Sequence, residues 1–125
     1  MKKTYGLLTQ NYARQHKNLV NDVMLILEKN YSDSSLSLKK VSEMLGVSES
    51  YTSRIIRKKT NMPYIKHLMG IRIEKSKELL LSGISIENVA AQCGYLSISG
   101  YKKAFKQYTG MSVFAWIQHS NRVNN

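Results

Sequence analysis

The sequence predicts an all-α protein of two helix-turn-helix subdomains, homeodomain-like units joined by a long linking helix. Three observations predict it. Apolar residues recur every three to four positions, with no strand-like alternation long enough to matter. Single glycines and serines punctuate that pattern where helices begin and end. A segment of the first half also recurs in the second, and the boundaries together mark about seven helices.

Residues 1–15 are polar, carry no convincing period, and read as a linker or N-terminal lead-in. The first subdomain covers residues 16–63. Leu19, Val20, Val23, Ile26, Leu27 and Tyr31 share one helical face, and Ser32-Asp33-Ser34-Ser35 ends that helix. A short helix over Leu38–Leu45 follows, with Leu38, Val41 and Leu45 inward. Ser37 caps its first amides and Gly46 closes it in a left-handed conformation. A third helix spans Glu49 to Thr60, with Thr52, Ile55 and Ile56 on its inner side.

Pro63 suits the first turn of the linking helix, residues 64–82. One side of that helix carries Ile65, Leu68, Met69, Arg72, Ile73, Ser76, Leu79 and Leu80, and Gly83 ends it. At 1.5 Å per residue it spans roughly 25–30 Å, near the ~34 Å between successive major grooves. The expectation is a rigid spacer that lets one chain read two adjacent grooves. The second subdomain, residues 83–120, repeats the first. Ser85 caps Ile86–Cys93, and Gly94 closes it. Ser97 opens a helix through Tyr101, Ala104, Phe105 and Tyr108, which Gly110 ends. Ser112 starts a last short helix through Phe114 and Ile117, leaving 121–125 as a tail.

The repeat is the strongest internal signal. With LKKVSEMLG (38–46) set over IENVAAQCG (86–94), Val41 falls on Val89, Ser42 on Ala90, Leu45 on Cys93 and Gly46 on Gly94. One extra residue after the second glycine then places Ser48 on Ser97, Thr52 on Tyr101, Arg54 on Lys103, Ile56 on Phe105 and Thr60 on Thr109. A short helix, a glycine turn and a second helix basic on one face make a helix-turn-helix. The small residue inside the first helix lets the second cross closely, and that second helix fits the DNA major groove.

Charge points the same way. Lysine and arginine number 19 against 8 acidic residues, a net charge of +11. Self-repulsion of that size implies a polyanionic partner: duplex DNA, RNA or an anionic membrane. No apolar run approaches the ~18 residues a membrane helix needs, which argues against the membrane. The start, MKKTYGLLTQNYARQ, has no apolar core of signal-peptide length. A single cysteine, Cys93, suits a reducing cytoplasm, and on an apolar helix face it reads as a buried inert thiol. His16, His67 and His119 lack metal-ligand spacing. No phosphate-cradling glycine loop and no catalytic constellation can be assembled. No cofactor, metal or enzymatic activity is assigned, and Phe105 and Trp116 read as core.

Residues from about 16 to 120 resemble the DNA-binding domain of the AraC/XylS transcription regulators. The resemblance rests on LSLKKVSEMLGVSESYTSRIIRKKTN, RIEKSKELLLSG and ISIENVAAQCGYLSISGYKKAFKQYTGMS. The last is the most specific, with its glycine-aromatic pair, serine, aromatic, Phe-Lys and closing glycine. Four positions depart from the family pattern: Ile56 for phenylalanine, Asn61 for glycine, Val113 for proline and Ile117 for arginine. None removes a helix, and the last takes away the arginine of one familiar C-terminal contact.

On the first reading helix Ser50, Ser53, Arg54 and Arg57 fall near one face, away from Ile55 and Ile56. The resemblance puts a base-reading residue at Arg54, whose guanidinium can bond guanine O6 and N7 together for about 1–3 kcal/mol of discrimination. Tyr51 is placed for the DNA backbone, and Lys58 for phosphate or solvent. The second reading helix offers no bidentate reader: Ile98 suits a thymine methyl, beside Ser99. Lys102, Lys103 and Lys106 suit phosphates. The helix starts at Ser48 and Ser97 add amide-to-phosphate bonds. The partner implied is double-stranded DNA, with RNA polymerase as a second. Such regulators usually carry a sensor or dimerisation domain. Either this chain works alone as a monomer or it belongs to a longer one. A sequence-tolerant architectural DNA binder and a protein-interaction module remain as alternatives.

Overall fold

The computed structural model describes residues 18–124. Among them run seven helices and no strand: α1 (Leu19–Asn30), α2 (Leu38–Leu45), α3 (Glu49–Thr60), α4 (Tyr64–Leu81), α5 (Ile86–Gln92), α6 (Ile98–Thr109) and α7 (Val113–Asn124). The lead-in 1–15 and His16 lie outside the described residues. The described chain divides into two compact units, the first holding residues 18–30 and Ser35–Leu68, the second Tyr31–Ser34 and residues 69–124.

In the first unit α1 and α2 both pack on α3. Val23, Leu27, Val41, Val47 and Ile56 are wholly buried there. Each such side chain contributes about 1.5–3 kcal/mol when taken from water. Two hydroxyls sit inside this core and satisfy one another. Ser42 Oγ donates to Thr52 Oγ1 at 2.9 Å, and Thr52 Oγ1 donates to the Ser48 carbonyl at 2.9 Å. This chain of bonds ties α2 to the start of α3 and fixes their crossing. Leu36 and Val47, in the flanking turns, are buried, whereas Leu38 and Leu45 are only half-buried.

The second unit closes around Ile73, Val89, Cys93, Tyr101 and Phe105. Edge-on aromatic contacts join Tyr101 to Phe105 at 5.9 Å and Phe105 to Trp116 at 5.8 Å between ring centres. They anchor the inner faces of α6 and α7 to each other.

Helix α4 contributes to both units. Its inner row is Tyr64, Leu68, Arg72, Ser76 and Leu80, four residues apart and each below 10% exposed. The expected inner position Ile65 is 61% exposed, because the row starts at Tyr64, one residue earlier. Arg72 is buried on this row with its charge provided for. Nε donates to the Tyr31 carbonyl and Nη2 to the Asp33 carbonyl, both at 2.8 Å, and the guanidinium lies over the Tyr95 ring.

Three further expectations are corrected. Helix α5 ends at Gln92, with Cys93 already past the helix and Gly94 in the left-handed region at φ 87°. The last helix is not short: it runs to Asn124, turning Val113 and Trp116 inward while Phe114 points to solvent, 70% exposed. Tyr108 is 42% exposed rather than inner, its ring lying against Gly70.

Candidate nucleic-acid interface

The repeat read from sequence recurs as repeated geometry. Val41 and Val89 are both fully buried, as are Ile56 and Phe105. The turn bond from Val47 N to Ser42 O at 3.1 Å matches that from Tyr95 N to Ala90 O at 2.9 Å. Thr60 Oγ1 donates to Ile56 O at 2.7 Å, and Thr109 Oγ1 to Phe105 O at 2.8 Å. Asn61 and Gly110 close the two reading helices at φ 60° and 82°. The residue by which the second turn is longer is Leu96.

On α3 the structure brings Ser50, Ser53, Arg54 and Arg57 together with Leu38 and Glu49 around a shallow depression of about 470 Å³. Arg54 and Arg57 are exposed, Ser53 half-buried. The Arg54 guanidinium carbon stands 5.5 Å from the centre of the Tyr51 ring, which supports the outward guanidinium. Lys58 is exposed but lies outside this group. Glu49, which the sequence marked only as the helix start, is the one acid in the first turn of α3.

On α6, Ser99, Lys102, Lys103 and Lys106 are exposed and Ile98 half-buried. The three lysines make no ion pair with a described residue. They stand together along a second, larger cleft bordered by α7. Leu96 was also missed by the sequence reading. It is 90% exposed, directly before the capping serine, so an unburied leucine stands at the tip of the second turn. The signal for it was present: it is the unmatched residue of the repeat.

The two capping serines bond the first turns of their own helices. Ser48 Oγ accepts from Tyr51 N at 3.1 Å and Ser97 Oγ from Gly100 N at 3.0 Å. Their hydroxyls are committed to the helix. The backbone amides ahead of Tyr51 and Gly100 in these first turns have no intrahelical partner.

Cys93 is fully buried, and burial pushes its thiol up to about 11 although the nearby Arg72 pulls the other way. His67 is half-buried against Thr60 Oγ1 at 2.8 Å, and burial lowers its pKa. Among the described residues no group of three potential ligands could hold a metal ion, and no helix is long and apolar enough to cross a membrane.

A short helix, a tight turn and an outward basic helix, built twice on one plan, define a double helix-turn-helix DNA-binding domain. A family model described as a helix-turn-helix domain matches residues 41–119, and the chain belongs to that family, the DNA-binding domains of AraC/XylS-type transcription regulators. The Msm operon regulatory protein of Streptococcus mutans is 33% identical over 97 residues, 77% of this chain and 34% of that protein. The chain therefore spans about a third of that relative's length. The HTH-type transcriptional activator AarP of Providencia stuartii is 26% identical over 113 residues, covering 86% of this chain and 83% of AarP. Among solved structures, the C-terminal domain of AraT, a response regulator from Geobacillus stearothermophilus, matches with a TM-score of 0.77. The two are 35% identical, over 80% of this chain and 84% of that one.

Proposed function

We propose that this chain recognises specific double-stranded DNA sequences in the cytoplasm and so regulates transcription, with α3 and α6 each entering a major groove. The observation that carries the reading is the pair of matched turns, each presenting an outward helix whose cations have no carboxylate partner on its own surface. In the first unit Arg54 reads guanine through paired bonds to O6 and N7, held by the Tyr51 ring. Ser50 and Ser53 read neighbouring bases, and Arg57 and Lys58 meet phosphates. Glu49 suits a cytosine N4 donor and disfavours phosphate at the start of α3.

The second unit reads by apolar contact. Leu96 and Ile98 flank the start of α6 with Ser99, and Gly100 adds no side chain of its own. Such a tip selects thymine methyls rather than a hydrogen-bond pattern. Lys102, Lys103 and Lys106 hold the phosphates on either side. The likeness to an activator supports RNA polymerase as a further partner once the operator is bound.

Selecting bound duplexes from a random pool tests the reading. The expected result is a defined sequence bound at least ~10³-fold more tightly than random DNA. A smaller ratio favours the sequence-tolerant architectural binder. If about 6–8 phosphates are neutralised, affinity falls by roughly 10³–10⁵ between 50 and 200 mM salt. A flat salt dependence contradicts the role given to the lysines and arginines.

A further inference from the structure

The second unit carries a cleft whose lysines suit DNA phosphates but whose apolar part DNA binding does not account for. It has a volume of about 830 Å³ and lies between the outer face of α6 and the starts of α5 and α7. That volume falls within the ~300–1,000 Å³ of small-molecule sites. Its floor is apolar: Ile86, Val113 and Phe114. Val113 is 2% exposed and Ile86 packs on the core, so the floor is built on rigid structure rather than on a loop. Its rim is basic: Lys102, Lys103 and Lys106. None of these lysines pairs with a described carboxylate, and no acidic residue lines the cleft.

The two halves of this lining ask for different things of one occupant. Three unpaired ammonium groups select a negative charge. A phenyl ring left 70% exposed beside Ile86 and Val113 selects hydrocarbon, and a sugar-phosphate backbone brings little of that. We propose that the cleft binds a small amphiphilic carboxylate, with its head among the three lysines and its alkyl or aromatic body against Phe114, Ile86 and Val113. The same lysines are those assigned above to DNA phosphates. Bound carboxylate and operator therefore compete, and the ligand releases the second unit from DNA. This competitive consequence rests on the proposed function; the binding itself does not.

The test uses the full chain without DNA, followed by amide NMR shifts. Decanoate is titrated beside decyltrimethylammonium and decyl maltoside, each kept below its micelle concentration. Decanoate is expected to bind saturably, shifting amides at the starts of α5 and α7 and along the outer face of α6. The cationic and neutral chains are expected to leave them unmoved. Phe114→Ala, at an exposed position, should weaken decanoate binding about tenfold without lowering the unfolding temperature. Lys103→Gln should weaken it too, and decanoate should raise the apparent Kd for the selected operator in the wild type but not in Phe114→Ala.

Equal binding of all three chains reduces the cleft to a sticky apolar surface and overturns the proposal. So does binding only to anionic vesicles or to an acidic peptide, which makes the cleft a membrane or protein contact. Decanoate binding in a chain that selects no DNA sequence would instead sink the functional reading and leave the cleft assignment standing.

Discussion

Replacing Gly94 by alanine tests how the second turn is held. Gly94 sits at φ +87°, where an L side chain costs about 1–2 kcal/mol. A Cβ there would stand 2.4 Å from the Tyr31 carbonyl oxygen and 2.9 Å from Arg72 Nε. The first atom is backbone, so relief requires moving the Tyr31–Ser34 turn and breaking the Arg72–Tyr31 hydrogen bond. A hydrogen bond to a charged donor is worth about 1.5–3 kcal/mol. Together the two effects cost roughly 3–5 kcal/mol. Gly83 supplies the control, since at φ +83° a Cβ meets nothing within 4 Å. Gly83→Ala should cost only the ~1–2 kcal/mol of backbone strain. In a small domain these costs lower the melting temperature by roughly 15–30 °C and 5–15 °C respectively. The single tryptophan, Trp116, packs edge-on against Phe105 in the second unit, so its fluorescence follows that unit's unfolding. If Gly94→Ala melted with Gly83→Ala, the close approach to Tyr31 and Arg72 would not be what holds this turn.

Three more outcomes follow from the same geometry. Replacing thymidine by deoxyuridine in the second half-site should weaken the wild type by about 0.8 kcal/mol per buried methyl and barely affect Leu96→Ala. Equal losses in both proteins would remove Leu96 from the interface. Lys106→Ala should weaken binding to all sequences alike and flatten the log-log salt slope by about 0.9, whereas a change confined to one base pair would make Lys106 a reader instead. Cys93, buried and with its thiol pushed up to about 11, should resist a disulfide reagent at pH 8 until urea unfolds the chain. Fast labelling of the native protein would show that the second core opens readily.

Much of the fold was legible because helices announce themselves locally. Apolar spacing, capping serines and closing glycines each act within a few residues, and the two reading helices begin and end where those signals stand. The repeat was legible for a related reason: the same packing needs the same small and β-branched residues at the same spacing. What the sequence concealed depends on contacts between distant segments. Ile65 fits an inner row as well as Tyr64 does, and only packing decides between them. Arg72 reads as a misplaced charge until the carbonyls of Tyr31 and Asp33 come to meet it. Phe114 looks like core because it is aromatic, yet Val113 and Trp116 take the inward positions. At the interface, residue type revealed the cations of both units. The exposed Leu96 was hidden because its hydrophobicity suggests burial.

Base reading by α3 through Arg54 is tested by measuring base preference with and without that side chain. Wild type and Arg54→Ala would be titrated against the selected operator and every single-base variant of it, at one fixed salt concentration. The predicted result is a loss of about 1–3 kcal/mol on the operator, with preference relaxed at one base pair and kept elsewhere. A variant that binds more weakly yet keeps the wild-type preference at every position would contradict it, leaving Arg54 a phosphate contact and α3 without its principal reader.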